Sequence, residues 1–187
     1  MLDILICSLV SRQKKLDRLM SILHPQVNSA DVEVTIEQDD GEMSIGQKRN
    51  RLMYNCSHPY LCFVDDDDIV DEMYVPLILD AIAKGHDHIG GPIDCVGMCG
   101  YIIEKGQRTW QFRHSVTVDN WCKDRQNKIY FRTPNHLNPI RTEIAHQCSF
   151  PNVSHGEDRA YSDQLKGMCR TEEFIETPIY FYMMGEE

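Results

Sequence analysis

The 187-residue sequence contains no apolar run approaching the roughly 20 residues that a membrane-spanning helix needs. Its first ten residues, MLDILICSLV, have no basic residue ahead of the apolar stretch, and Asp3 interrupts it, so the pattern is not that of an export signal. The expectation is a soluble protein that stays in the cytoplasm. Internal repeats and low-complexity linkers are also missing, which argues against solenoids and strings of tethered modules. Basic residues are scarce: 19 Lys and Arg against 29 Asp and Glu, a net charge of −10. That balance argues against a general binder of nucleic acid or anionic membrane, since both require cationic surface. A second close cysteine pair is lacking too. Of eight cysteines only Cys95 and Cys99 are near one another, with His86 and His88 upstream. A structural zinc site normally draws on two such pairs, so reduced thiols are expected. Zinc at Cys95 and Cys99 stays an open alternative.

What is present is ordinary globular composition, 42% hydrophobic and 26% charged, enough to build a core rather than a disordered chain. The length suits one domain, expected over 1–187. Asp3–Ser8 has the pattern of a short apolar strand. Leu16, Leu19, Met20 and Leu23 follow at helical spacing. Val32, Val34 and Ile36 alternate with polar residues as a strand does. Ser44-Ile45-Gly46-Gln47 is a capping box, predicting a helix toward Asn55. Tyr60–Val64 is a buried strand, and Val75 to Ile82 a third helix that Gly85 should stop. Alternating strands and helices of this kind build an α/β fold whose central, mostly parallel sheet carries helices on both faces. The second half predicts a hairpin around Glu104–Arg108, a strand over Lys128–Arg132, and a final strand over Ile179–Met184. It also predicts a helix starting at Asn138-Pro139 and another opened by a capping box at Ser154–Glu157.

The negative charge is concentrated. From Asp65 to Glu72 six of eight residues are acidic, and without them the net charge falls from −10 to −4. Asp65 and Asp67 would face the same way if the strand ran on through them. Adjacent carboxylates raise one another's pKa unless a cation compensates, and oxygen-rich clusters suit Mg²⁺ or Mn²⁺. In open α/β sheets ligands bind beyond the carboxyl ends of strands, where this block lies, which favours a cation or nucleotide site over a solvated turn. Gly46 to Arg51 opens the second helix with Lys48, Arg49 and Arg51. Two readings are open there: an anion at the helix N-terminus, or a basic face that is solvated or paired with the acidic block. Gly156-Glu157-Asp158 offers a candidate general base or, more simply, acids at a helix start. His136 and His155 are candidate ligands or structural histidines.

Ser44-Ile45-Gly46-Gln47-Lys48-Arg49-Asn50, then Tyr60–Val64 running into Asp65-Asp66-Asp67-Asp68, then Asn135 to Arg141 and Gly156-Glu157-Asp158, together resemble a family 2-type glycosyltransferase of GT-A fold. The resemblance spans Ile4 to Leu165. It implies a nucleotide-binding half over 1–90 and an acceptor-side half over 91–187. It implies a nucleotide-diphosphate sugar donor, Mn²⁺ or Mg²⁺, and a hydroxyl acceptor: a glycan, a small molecule or a modified nucleic-acid base. Asp65 and Asp67 match the Asp-x-Asp metal motif, with Asp66 and Asp68 leaving its register open. Ser8, Arg12, Asp39, Arg49, Asp65 and Asp66 match nucleotide-contacting positions. Asp158 matches the catalytic base, with Glu157, His136 and Asn138 on the acceptor side. The chain departs from the pattern in having no His after His155. A haloacid dehalogenase-type phosphatase and a silent nucleotide-sugar or cation-binding module are the alternatives.

Overall fold

The computed structural model describes residues 1–27 and 31–185. In chain order the elements are β1 (Leu2–Leu9), α1 (Gln13–Leu23), β2 (Val32–Asp39), α2 (Ile45–Tyr54) and β3 (Tyr60–Phe63). There follow β4 (Ile69–Val70), α3 (Tyr74–Ile89), β5 (Cys95–Glu104), β6 (Gln107–His114), β7 (Cys122–Asp124) and β8 (Ile129–Arg132). The chain closes with β9 (Ile140–Arg141), α4 (Thr142–Ala145), α5 (Glu157–Leu165) and β10 (Glu172–Met184). The strands form one sheet in the order β2-β1-β3-β9-β5-β6-β8-β7, with β10 beside β5 and β4. β1 pairs in parallel with β2 and β3, as β10 does with β5 and β8 with β6. The remaining pairs are antiparallel.

Residue alternation along the strands splits the core between the two faces. Leu2, Ile4 and Ile6 of β1, with Tyr60 and Cys62 of β3, pack under Leu16, Leu19 and Leu23 of α1 and Val75, Ile78 and Ile82 of α3. Leu5, Leu61 and Phe63 face the other way, against Leu52 and Met53 of α2, Ile144 of α4, and Tyr161 and Leu165 of α5. The expected helices on both faces are present. The capping box at Ser44 is formed in both directions, Ser44 Oγ accepting from the Gln47 N–H and Gln47 Oε1 from the Ser44 N–H.

Four local expectations are corrected. Gly85 does not stop α3, which runs on to Ile89 and ends at Gly90 in the left-handed region, φ 71°. Gly85 is instead a close-packing position, where an added Cβ would lie 2.6 Å from the Ile93 side chain. Asn138-Pro139 does not open a helix. The Asn138 side chain is fully buried and spent elsewhere, donating to Val96 O (2.9 Å) and accepting from the Asn135 N–H (3.0 Å). The residues after it become β9, wedged between β3 and β5, and α4 begins only at Thr142. Ser154 does not cap α5 either: that helix starts after Gly156, and Ser154 Oγ accepts from the Ile45 N–H of α2. The third strand ends at Phe63, so strand alternation does not govern Asp65–Asp68, which form a turn closed by Asp68 N–H to Asp65 O (3.1 Å).

Candidate active site

A cavity of about 670 Å³ opens beyond the carboxyl ends of β1 and β3, within the usual range for small-molecule sites. One wall carries Ser8, Arg12, Lys48, Arg49, Asp65, Asp66 and Asp67. The other carries Arg132, Asn135, His136, Glu157, Asp158 and Tyr182. Asp39 and Asn138, expected in the site, do not line it. The carboxylate of Asp39 is taken by the Lys48 ammonium and the Met43 N–H, while Asn138 sits behind the wall in the β5–β9 junction.

The acidic block divides by burial. Asp66 and Asp68 are 1% exposed. Asp66 accepts from Ser8 Oγ (2.7 Å) and pairs with Arg12 (3.1 Å). Asp68 accepts from the Tyr180 hydroxyl (2.7 Å) and the Met183 N–H (2.8 Å) of β10. Burial raises the pKa of both, well above the ordinary value for Asp68. Asp65 and Asp67 are more open, with side chains 27% and 36% exposed. Burial pushes Asp65 upward, but the Arg49 guanidinium outweighs it and holds the carboxyl below the usual range. Asp67 is paired with Arg12. Asp65 and Asp67 are therefore the carboxylates that the turn presents to the cleft.

Arg49 is the hub. Its side chain is buried against the rings of Phe63 and Phe150, and it donates to Asp65 (2.8 Å), Glu157 (2.8 Å) and His136 Nε2 (3.0 Å). Burial lowers the pKa of His136, with Arg49 adding to the effect, so the ring is neutral at pH 7. Because Arg49 can only donate, Nε2 is the acceptor and the proton sits on Nδ1. Arg49 thus joins the acidic block to α5, which is the ion-paired reading of the basic helix start. The anion reading of that helix N-terminus is overturned. The amides of Ile45 and Gly46 are spent on Ser154 Oγ and Val153 O, and that of Gln47 on its own cap. A Cβ at Gly46 would lie 1.9 Å from Pro151 O, so the loop ahead of α5 takes the place an anion would need.

Asp158 differs from its neighbours. It lines the cavity, yet its carboxylate makes no hydrogen bond or ion pair among the described residues. Sequence reasoning missed Arg132 and Tyr182 as lining residues, since both lie within expected strands with nothing to single them out, and it held Asn135 only as the first residue of the Asn135–Arg141 segment. Cys95 and Cys99 are free, buried thiols on one strand, four residues and so about 13 Å apart, too far to share a zinc ion. The one group of three His, Cys, Asp or Glu ligand atoms within 4.8 Å of one another, among the described residues, is Asp3, Glu33 and His58. It lies at the opposite ends of β1 and β2 from the cleft, where Asp3 accepts from the Ser57 and His58 N–H groups. Hard carboxylate oxygen in the cleft comes from Asp67, with Asp65 beside it, and that donor chemistry fits Mg²⁺ or Mn²⁺ held jointly with ligand phosphates.

No described helix is long and apolar enough to cross a membrane. Among solved structures, residues 1–349 of S. aureus TarS in complex with UDP-GlcNAc are similar, with TM-score 0.69 and 14% identity over 100% of this chain. The same fragment with UDP gives 0.66 and 14% over 99%, and TarS itself 0.68 and 13% over 98%. The chain spans 60% of the TarS 1–349 structure with UDP-GlcNAc. At such identities the likeness establishes the fold, which is GT-A. No curated protein matches the sequence. Residues 28–151, more than half of the chain, match the family described as Glycosyl transferase family 2. The chain belongs to that family.

Proposed function

We propose that the cleft moves a sugar from a nucleotide-diphosphate sugar to an acceptor hydroxyl, with inversion at the anomeric carbon. The observation that carries this is Asp158, the cavity carboxylate left without a hydrogen-bond or ion-pair partner, lining the same cavity as the Asp65–Asp67 turn. A base must keep an open lone pair aimed at its substrate, and every other cavity carboxylate is engaged by Arg12 or Arg49. In this reading the donor lies along Ser8, Arg12 and Asp65–Asp67. Asp67, with Asp65, would hold Mg²⁺ or Mn²⁺, which when bound supplies positive charge to the departing diphosphate. Asp158 accepts the acceptor's proton as the oxygen attacks the anomeric carbon. The bond to the diphosphate breaks on the opposite face, and configuration inverts. Arg49 and Glu157 fix the start of α5, and hence the position of Asp158. His136 and Asn138 brace the wall behind the acceptor.

UDP-GlcNAc is the donor to try first, because the TarS fragment binds it. With Mn²⁺ present, UDP should raise the melting temperature of the parent protein and of Asp158→Asn alike. Consumption of UDP-GlcNAc should fall by about 100-fold or more in Asp158→Asn, the lower end of what a positioned base contributes. Full turnover in that variant would remove Asp158 from the role. No stabilisation by any nucleoside diphosphate would remove the donor site.

A further inference from the structure

Arg132 is unlike the other cations of the cleft. Arg12 is paired with Asp66 and Asp67, Lys48 with Asp39, and Arg49 with Asp65 and Glu157. Arg132 ends β8, lines the same cavity, and meets only rings: Trp121 at 4.6 Å and Tyr130 at 5.8 Å. Among the described residues no carboxylate is in ion-pair contact with it. Burial lowers its pKa while Asp158 pulls the other way, and an arginine remains charged under such a shift. A half-buried guanidinium flanked by rings and paired with no carboxylate is placed to take an anion that a ligand brings.

The surroundings are built rather than incidental. The Trp121 ring is pinned, its Nε1–H donating to Thr133 Oγ1 (2.9 Å) and Ser162 Oγ (3.3 Å). A second guanidinium, that of Arg159 next to Asp158, lies 5.4 Å from the same ring. A smaller hollow of about 230 Å³ shares Arg132 with the main cavity and is lined by Trp121, Lys123 and Tyr130. In a chain of net charge −10 it is lined by two cations and no carboxylate. Asn135, three residues on, lines the main cavity and is fully buried, with Nδ2 lacking an acceptor.

We propose that Arg132 receives an oxyanion carried by the acceptor, so that the acceptor is a hydroxyl compound bearing a phosphate or carboxylate. It enters across Trp121 and Lys123 and presents its hydroxyl to Asp158. The inference rests on the reading of the cleft as a transferase site. The carboxylate whose charge acts on Arg132 is that of Asp158 rather than any in the Asp65–Asp67 turn, and the hollow that Arg132 shares holds no acidic residue, which places Arg132 beside the proposed base on the acceptor's side.

The sequence has two tryptophans, so a Trp110→Phe background leaves Trp121 as the sole reporter. That protein, saturated with UDP and Mn²⁺, is titrated with glycerol 3-phosphate, glycerate or glycerol while Trp121 emission is followed. At least one anion should give a saturable change and glycerol none, and the tighter of the two names the oxyanion. Arg132→Gln should weaken the anion at least tenfold and leave UDP affinity within twofold. Arg132→Lys, which keeps the charge but not the planar fork, should fall between and serves if the glutamine variant does not fold. Anions that are silent, or that bind Arg132→Gln as well as the parent, overturn the proposal. So does a tenfold loss of UDP affinity in Arg132→Gln, which would put this residue on the donor diphosphate. Failure of UDP to bind the parent protein is seen before any anion is added, and it brings down the transferase reading itself.

Discussion

Glu157 and Asp158 are neighbours with opposite commitments. The carboxylate of Glu157 is buried and held by Arg49 at 2.8 Å, while that of Asp158 faces the cavity without a partner. Their isosteric amides should therefore give opposite phenotypes. Glu157→Gln exchanges a charged hydrogen bond for a neutral one on a buried guanidinium and should cost about 1–2 kcal/mol of stability. Asp158→Asn removes no side-chain contact and should leave the urea midpoint within experimental error, while lowering turnover by about 100-fold or more. Urea melts beside a donor-consumption assay separate the two. An equal loss of stability in both variants would show that Asp158 is a structural acid at a helix start.

At the scale of elements, α2 holds the site together, and it does so through one buried arginine. Arg49→Met leaves Asp65 and Glu157 without their cation, and breaking a buried pair in this way costs about 3–5 kcal/mol. The pH dependence has a definite sign. The folded pKa of Asp65 lies below its unfolded value, so its contribution is fully present above about pH 4. That contribution is lost as pH falls through the folded value. The gap between parent and Arg49→Met should be full at pH 7 and narrow below about pH 4, as read from urea melts at both ends. A gap that widens in acid would contradict the pairing.

The same helix shows what was legible in the sequence. Its start was readable because a capping box is local, four residues satisfying one another. The acidic turn after β3 was readable as a site because burial before it and charge after it are both written along the chain. The use of Ile45 and Gly46 amides by Val153 and Ser154 was not readable, since the partners lie over 100 residues away. Asn138-Pro139 carries a helix-start signature, yet its side chain is consumed across the sheet by Val96. The beginning of β10 was hidden by Glu172, Glu173 and Glu176, polar residues in a strand position. Glu172 earns its place by accepting from the Val116 N–H and Ser115 Oγ. Arg132 was passed over because a lone arginine at a strand end has no pattern until Trp121 is folded beneath it.

For the whole molecule, the charge of −10 resolves into unlike parts. Asp66 and Asp68 are buried with raised pKa values, Arg12 and Arg49 offset Asp67 and Asp65, and the groove at Trp121 is cationic. Within the acidic block, the carboxylate that the proposed reading leaves for a divalent cation is Asp67, partly exposed and held by one arginine. An exposed pair of that kind contributes under about 1 kcal/mol, so Asp67→Asn should leave the melting temperature of the free protein nearly unchanged. Ligand-dependent stability should respond quite differently. UDP at 100 times its Kd adds about 2.7 kcal/mol to the folded state. For a chain of this size that is a rise of about 5–10 °C. The rise should appear with Mn²⁺ or Mg²⁺ and be largely lost in EDTA, and Asp67→Asn should lose it even with the metal supplied. Differential scanning calorimetry on parent and variant, with UDP and either cation or chelator, reads all four conditions. An equal rise in EDTA would show that the diphosphate is held by protein cations alone, leaving the Asp65–Asp67 turn to the ribose.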